Sequence, residues 1–290
     1  MTELIDRADV ERVLRDPRYL VPEAEAAAAR PMARFRSRAS RFVNGPTHDR
    51  RRARLEELLG LLDPDELAAA AAARTRELIA ASAPADGDSG AAEYGEAAPD
   101  VAAIAGHVPV ASLAEQLGFD RPDDLPPLVA VVAAPYASGV DSDAADAAIV
   151  RLLAAAPRRP AAATRAAEHL DDGTDDEPED GALRVQLLVQ AFEATAALVE
   201  GAVLRAATTP AATTEEVLAV TLRDDPPVRL TRRVRPDGAL VAVRLDGPDR
   251  GARTGDAART LAFGAGRRAC PAERLAMAMA GAVVEELRAC

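Results

Sequence analysis

A mainly α-helical chain with one small β-hairpin is predicted by three observations. Apolar residues make up 49% of the 290 residues, yet aromatics supply only 3% and tryptophan none, so the core must be built from Ala, Leu and Val, a composition that favours helices. Apolar positions recur at helical spacing in one segment after another. Only "PVRLTRRVRPDGALVAVRL" alternates with period two, in two runs either side of an Asp-Gly.

In chain order, the helical period is carried over roughly 8–15, 47–61, 64–81, 109–118, 143–156, 183–207, 213–223 and 271–288. The alternating runs place strands near 228–234 and 239–245. Two stretches rich in Gly, Pro, Ser or acid, "SAPADGDSGAAEYGEAAPD" at 82–100 and "DDGTDDEPEDG" at 171–181, read as mobile surface loops. No internal repeat or sharp change of composition divides the chain, so residues 1–290 are expected to form a single domain.

Charge and cysteine content narrow the function. The formal charge is −12 and every one of the 35 basic residues is arginine, which excludes non-specific nucleic-acid binding through a dominant basic face. Two cysteines, Cys270 and Cys290, give no disulfide framework and fit a reducing compartment. The start, "MTELIDRADVERVLRD", carries acids where a secretory signal needs a basic patch, and the longest apolar run, "LPPLVAVVAAPYASGV", is short for a bilayer and interrupted by Pro135. A cytoplasmic protein without membrane contact is expected. His107 and His169 have no partner at metal-ligand spacing, no phosphate loop follows a predicted strand, and no serine sits in a nucleophile elbow.

Cys270 lies in "LAFGAGRRACPAERLAMAMAGAVVEEL", between a glycine-rich turn and an amphipathic helix. A thiol there can be a metal ligand, a nucleophile or a small apolar filler. Gly264 and Gly266 permit backbone geometries closed to other residues and the close approach of a bulky planar group. A helix beginning at Cys270, with Pro271 in its first position, turns its peptide N–H groups and dipole toward the sulfur, which favours a ligating thiolate.

These residues resemble the heme-binding signature of the cytochrome P-450 superfamily of heme-thiolate monooxygenases, matching at Phe263, Gly264, Gly266, Arg268, Cys270, Leu275 and Ala276. The resemblance implies heme b, with Cys270 as axial iron ligand, Phe263 near the sulfur and Arg268 on a propionate. "GPTHDRRRARL" resembles the family's C-helix, whose His48 and Arg52, four apart, fall on one helical face as propionate donors. "PPVRLTRRV" resembles the strand after the K-helix, with Arg233, or else Arg232, as a further propionate partner. "VLRDPRYLVP" looks like the N-terminal helix and following strand, and "VPVASLAEQLGF" like the E-helix region. "LLVQAFEATAALVEG" resembles the long I-helix, implying proton-delivery roles for Glu193 and Thr195. The implied architecture is a cytochrome P-450-like fold truncated at its N- and C-terminal ends.

The sequence departs from the family pattern in several places. Gln190 and Ala191 replace the usual small-residue pair, and Ala194 replaces the I-helix threonine. Val220 occupies the K-helix glutamate position, leaving Arg223 to find Asp224 or Asp225; a buried arginine without a partner would cost about 3–5 kcal/mol. The chain is shorter than ordinary soluble members, implying a wider or differently roofed distal cavity. The resemblance implies an oxidoreductase of monooxygenase or peroxygenase type acting on a small-molecule substrate, in specialised metabolism, with electrons from a ferredoxin-type donor or with peroxide. The arginine run Arg50, Arg51, Arg52 and Arg54 is either a solvated face or, with Arg267, a landing site for that donor. A reduced relative that activates a partner enzyme and a heme-based ligand sensor are the alternatives.

Overall fold

The computed structural model describes residues 2–26, 28–82, 99–157, 176–250 and 260–290. Among these the chain runs β1 (Thr2–Leu4), α1 (Arg7–Arg15), α2 (Pro31–Arg38), α3 (Gly45–Gly60), α4 (Pro64–Ser82), α5 (Val101–Gln116), α6 (Pro126–Ser138), α7 (Asp143–Ala155), α8 (Asp176–Thr208), α9 (Thr214–Asp224), β2 (Leu230–Val234), β3 (Leu240–Arg244) and α10 (Glu273–Arg288). The mainly helical expectation holds, and the sheet is small: three strands in the order β1-β3-β2. The predicted hairpin pairs Arg233 with Val241, and β1 adds a parallel strand against β3 that its length of three residues had concealed.

Two helices and several boundaries differ from the periodicity reading. In α6 the run is apolar on every face, so no helical period shows. Pro126 and Pro127 occupy its first turn, where a missing N–H costs nothing, Pro135 is tolerated inside it, and Gly139 at φ 80° ends it. The helix α2 also begins on a proline, Pro31. Asp100 caps α5 at Ala103 N, so that helix starts well before residue 109 and carries Pro109 inside. Of the stretches expected as loops, residues 83–98 and 171–175 lie outside the described residues, as does His169. Residues 176–181 are the first turns of α8, not a loop: acids and an early proline, which suggested a loop, are what the positive end of a helix accepts.

Among the described residues, α8 alone is long and apolar enough to cross a bilayer, which the sequence reading overlooked. It runs instead through the bundle, packed by α5, α6, α9 and α10, while α10 also packs along α4. Leu183, Leu188, Val199 and Ala202 of α8 meet Val283 and Val284 of α10, Val108 of α5 and Ile149 of α7 in two adjoining cores. A third core lies under the sheet, where Val10, Val13 and Leu14 of α1 pack on Val241 and Val243. Thr213 and Glu216 cap α9 reciprocally, Glu216 N donating to Thr213 Oγ1 at 3.2 Å and Thr213 N to Glu216 Oε2 at 2.8 Å. At its other end Arg223 is held side-on by Asp224, at 2.8 and 2.9 Å, so the arginine left without its usual glutamate is partnered by the next residue.

Candidate functional site

Residues 260–272 form a loop tied down at both ends. Its start is anchored by buried Asp249, whose Oδ2 accepts from Leu261 N at 2.6 Å and from Thr260 Oγ1 at 3.1 Å, and which also pairs with Arg7. Toward its end, Arg268 Nη2 donates to Val43 O at 2.5 Å and to Asn44 Oδ1 at 3.0 Å. Cys270 N donates to Phe263 O at 2.8 Å and closes the turn between them. Cys270 is not in a disulfide and stands two residues before Ala272, the N-cap of α10, which offers no capping side chain. The helix therefore starts at Glu273, beyond Pro271, a correction of two residues that leaves its positive end close to Cys270 in the chain.

The two glycines serve different purposes. Gly264, at φ 69° and ψ −170°, holds a conformation essentially confined to glycine, although a Cβ there would meet nothing nearer than Arg268 O at 3.7 Å. At Gly266, a Cβ would sit 2.7 Å from Leu14 O and 3.0 Å from Arg15 Cα, so the planar neighbour expected from sequence is, at this position, the backbone of α1. Gly266→Ala should lower stability by about 2–4 kcal/mol through clash and a positive φ together, readable by denaturant unfolding.

The loop borders a cavity of about 950 Å³, lined on its own side by Phe263, Gly264, Arg268 and Cys270 and on α8 by Gln186, Gln190, Ala191, Ala194, Thr195 and Leu198. The α8 residues recur at three- and four-residue spacing, hence one face of that helix. Its size lies near the upper end of the roughly 300–1,000 Å³ typical of small-molecule sites.

Positive charge exceeds negative in this cavity, where Glu23, Glu25 and Asp141 stand against six arginines, and two of those arginines have no carboxylate partner among the described residues. Arg233, 6% exposed, donates only to Thr231 Oγ1 at 2.8 Å and Arg232 O at 2.9 Å, both neutral acceptors. Burial, reinforced by the charge of Arg41, pushes its guanidinium down to about 10. Half-buried Arg268 likewise finds only neutral oxygens and is pushed down to about 10 by burial and by the charges of Arg233 and Arg267. Among the described residues no carboxylate lies within ion-pair distance of either one. Of the two candidates on β2, Arg233 is buried and Arg232 exposed, and both border the cavity.

The other expected residues divide. His48, 4% exposed, lines the cavity, its Nδ1 lies 3.1 Å from Asp49 Oδ1 and donates to that ionised carboxylate, and burial pushes its pKa below the usual value. Arg52 lines it too, with its Nε on Glu56 at 2.6 Å. Thr195 is buried at the wall and makes no side-chain hydrogen bond among the described residues. Glu193 is exposed on α8 and is not among the residues that line the cavity. In the arginine run, Arg54 grips Asp180 at 2.8 and 2.6 Å and Arg51 grips Glu179, so these side chains fasten α3 to the start of α8 and are not a free docking face.

Sequence reasoning missed Asn44, Arg41, Tyr136 and Gln186. Asn44 precedes a Gly-Pro helix start and reads as a cap, but its amide instead joins Val21 O, Glu23 and Arg268. Gln186 and Tyr136 sit in apolar runs, where only the cavity reveals their use.

No family model matches the sequence, and no curated protein matches it. Solved structures do. CalO2 superposes with a TM-score of 0.73 at 18% identity, over 99% of this chain and 82% of that one. P-450BioI, crystallised with an acyl carrier protein ligated to hexadec-9Z-enoic acid, gives 0.70 at 15% identity over 97% and 83%. The open cytochrome P-450 EryK of S. erythraea gives 0.66 at 20% identity over 98% and 81%. The fold is that of the cytochromes P-450.

Proposed function

We propose that this chain, with its cytochrome P-450 fold, binds heme b through Cys270 and works as a heme-thiolate oxidoreductase of monooxygenase or peroxygenase type on a small organic substrate, in specialised metabolism. Residues 1–290 then act as one heme-binding domain. The observation that carries this reading is the pair Arg233 and Arg268, cationic and matched only by neutral acceptors, in the same cavity as Cys270. A partner-activating protein without heme leaves that unbalanced charge unexplained.

The residues present fit the group. Arg233 and Arg268 would take the two propionate carboxylates, with His48 and Arg52, which line the same cavity, as further donors. Bound there, heme supplies an iron centre whose thiolate ligand favours O–O cleavage. The protein does the rest. Cys270 supplies the thiolate, its backbone N–H held on Phe263 O and the positive end of α10 beside it stabilising the anion. Leu198, Leu275 and Met279 keep the cavity wall apolar and exclude water. Thr195, whose hydroxyl is uncommitted, holds and passes a proton in place of Ala194. Electrons come from a ferredoxin-type donor, or peroxide supplies oxidant and electrons together.

The test is heme uptake with a thiolate-type absorption band on reduction under carbon monoxide; protein that refuses hemin, or lacks that band, removes the proposal. Substrate turnover then separates an enzyme from a ligand sensor. Thr195→Val should lower turnover by about 10-fold or more, while Glu193→Gln, on the exposed face, should stay within about two-fold. The reverse ranking would assign proton delivery to Glu193.

A further inference from the structure

Gln190 occupies a position where the family resemblance calls for a small residue, and the structure assigns it a use. A relay of hydrogen bonds sets the direction of its amide. Ser40 N, a backbone donor, gives its hydrogen to Gln186 Oε1 at 2.8 Å. Gln186 is 1% exposed, so its orientation is determined: its Nε2 must donate, and does so to Ser40 Oγ at 2.8 Å and to Gln190 Oε1 at 3.1 Å. Gln190 thus spends its oxygen on Gln186 and turns its Nε2, a donor, toward the adjoining Tyr136 hydroxyl. Its half-buried side chain lines the cavity.

Two neighbours strengthen the donor character of this wall. Tyr136, 2% exposed and edge-on against Phe42 at 5.0 Å, has a buried hydroxyl that makes no well-formed hydrogen bond among the described residues; the Gln190 amide beside it acts on it as a donor, so its own O–H is the hydrogen left to give. Arg41 lines the same cavity and its positive charge is felt at Tyr136. No carboxylate among the described residues lies within ion-pair distance of Arg41. Arg41 is exposed at the cavity's edge, and the lining sets Arg36, Arg41, Arg52, Arg232, Arg233 and Arg268 against Glu23, Glu25 and Asp141, so N–H and O–H donors in this net positive field favour an anionic oxygen acceptor over a cation.

We infer that Gln190, positioned by Gln186 and assisted by Tyr136 and Arg41, is a specificity-determining residue that recognises a carboxylate on the substrate. This rests on the substrate-oxidising reading of the cavity and names the substrate class it would take. The rest of the substrate is apolar, since Leu187, Leu198 and Leu113 complete that part of the lining.

The experiment measures dissociation constants by calorimetry for 4-phenylbutyrate, 4-phenylbutanol and 4-phenylbutylamine, which share a skeleton and differ in the terminal group, on protein purified with heme supplied. The carboxylate should bind about 10-fold or more tighter than the amine, with the alcohol between. Gln190→Glu, of the same shape, should invert that order, and Tyr136→Phe should weaken the carboxylate alone. Gln186→Leu, which frees the Gln190 amide to turn, should narrow the carboxylate preference without reversing it. Equal binding of carboxylate and amine, an order unchanged in Gln190→Glu, or no binding of any of the three overturns the inference. Heme content and thermal midpoint, recorded for each variant, separate a misfolded protein from an altered site. Heme-loaded protein lacking the preference rejects this inference alone, whereas colourless protein whose preference is inverted by Gln190→Glu rejects the heme reading and leaves the acceptor site standing; a preference in colourless protein that Gln190→Glu does not move belongs to Arg233 and Arg268 and overturns the inference.

Discussion

Cys270→Ser protein, supplied with heme, reduced and exposed to carbon monoxide, gives no thiolate-type band, and its heme content falls well below that of the parent. The cause is chemical. Serine keeps the size of the side chain and the N–H bond to Phe263 O, but a hydroxyl is not deprotonated by a helix terminus as a thiol is. The loop itself should persist, because its anchors are Asp249, Arg268 and the contact of Gly266 with α1, none of which involves the sulfur. Unfolding curves should therefore be nearly those of the parent in heme-free protein. Cys290, the other thiol, is exposed at the end of the chain, and Cys290→Ser should leave the band in place. A band that survives Cys270→Ser would place the ligand elsewhere and end the heme-thiolate assignment.

Arg233→Met should move stability and cofactor affinity in opposite directions. In heme-free protein the guanidinium is charged, buried and matched only by neutral oxygens, so an apolar side chain of similar length should raise stability by something on the order of 1–3 kcal/mol. The same change removes a carboxylate partner and should weaken heme binding by about 10-fold or more. The pH dependence follows in sign. Burial pushes the folded guanidinium down to about 10, below its value in the unfolded chain, so above about pH 10 the unfolded state binds more protons. The parent then gains stability from this group as pH rises through and beyond about 10, and its deficit against Arg233→Met narrows. Hemin titration and denaturant unfolding on the two proteins decide the matter; an Arg233→Met protein that is both less stable and unchanged in heme affinity would show a structural arginine.

Most of the helices were legible because their apolar residues keep a 3.6-residue period, and the hairpin because Asp237-Gly238 interrupts two alternating runs; Gly238 adopts φ 84° there. α6 was not legible, since a helix buried on several sides shows no period, and its prolines read as breaks. The start of α8 was not legible either, since its acids pair with Arg51 and Arg54 of α3, far away in sequence. Local chemistry cannot announce such partners.

By itself the sequence determined the mainly helical class, the small hairpin, and the thiol and arginines from which a heme site would be built. Those are matters of residue type and short spacing, which periodicity and motif record directly. Only the tertiary structure decided that Arg233 is buried and Arg232 exposed, that Glu193 stays off the cavity while Thr195 lines it, and that Gln190 is turned by Gln186 to present donors. Each of these depends on which side of an element is covered and on what a distant backbone offers, and that is set when strands pair and helices pack, not by any residue's neighbours in the chain.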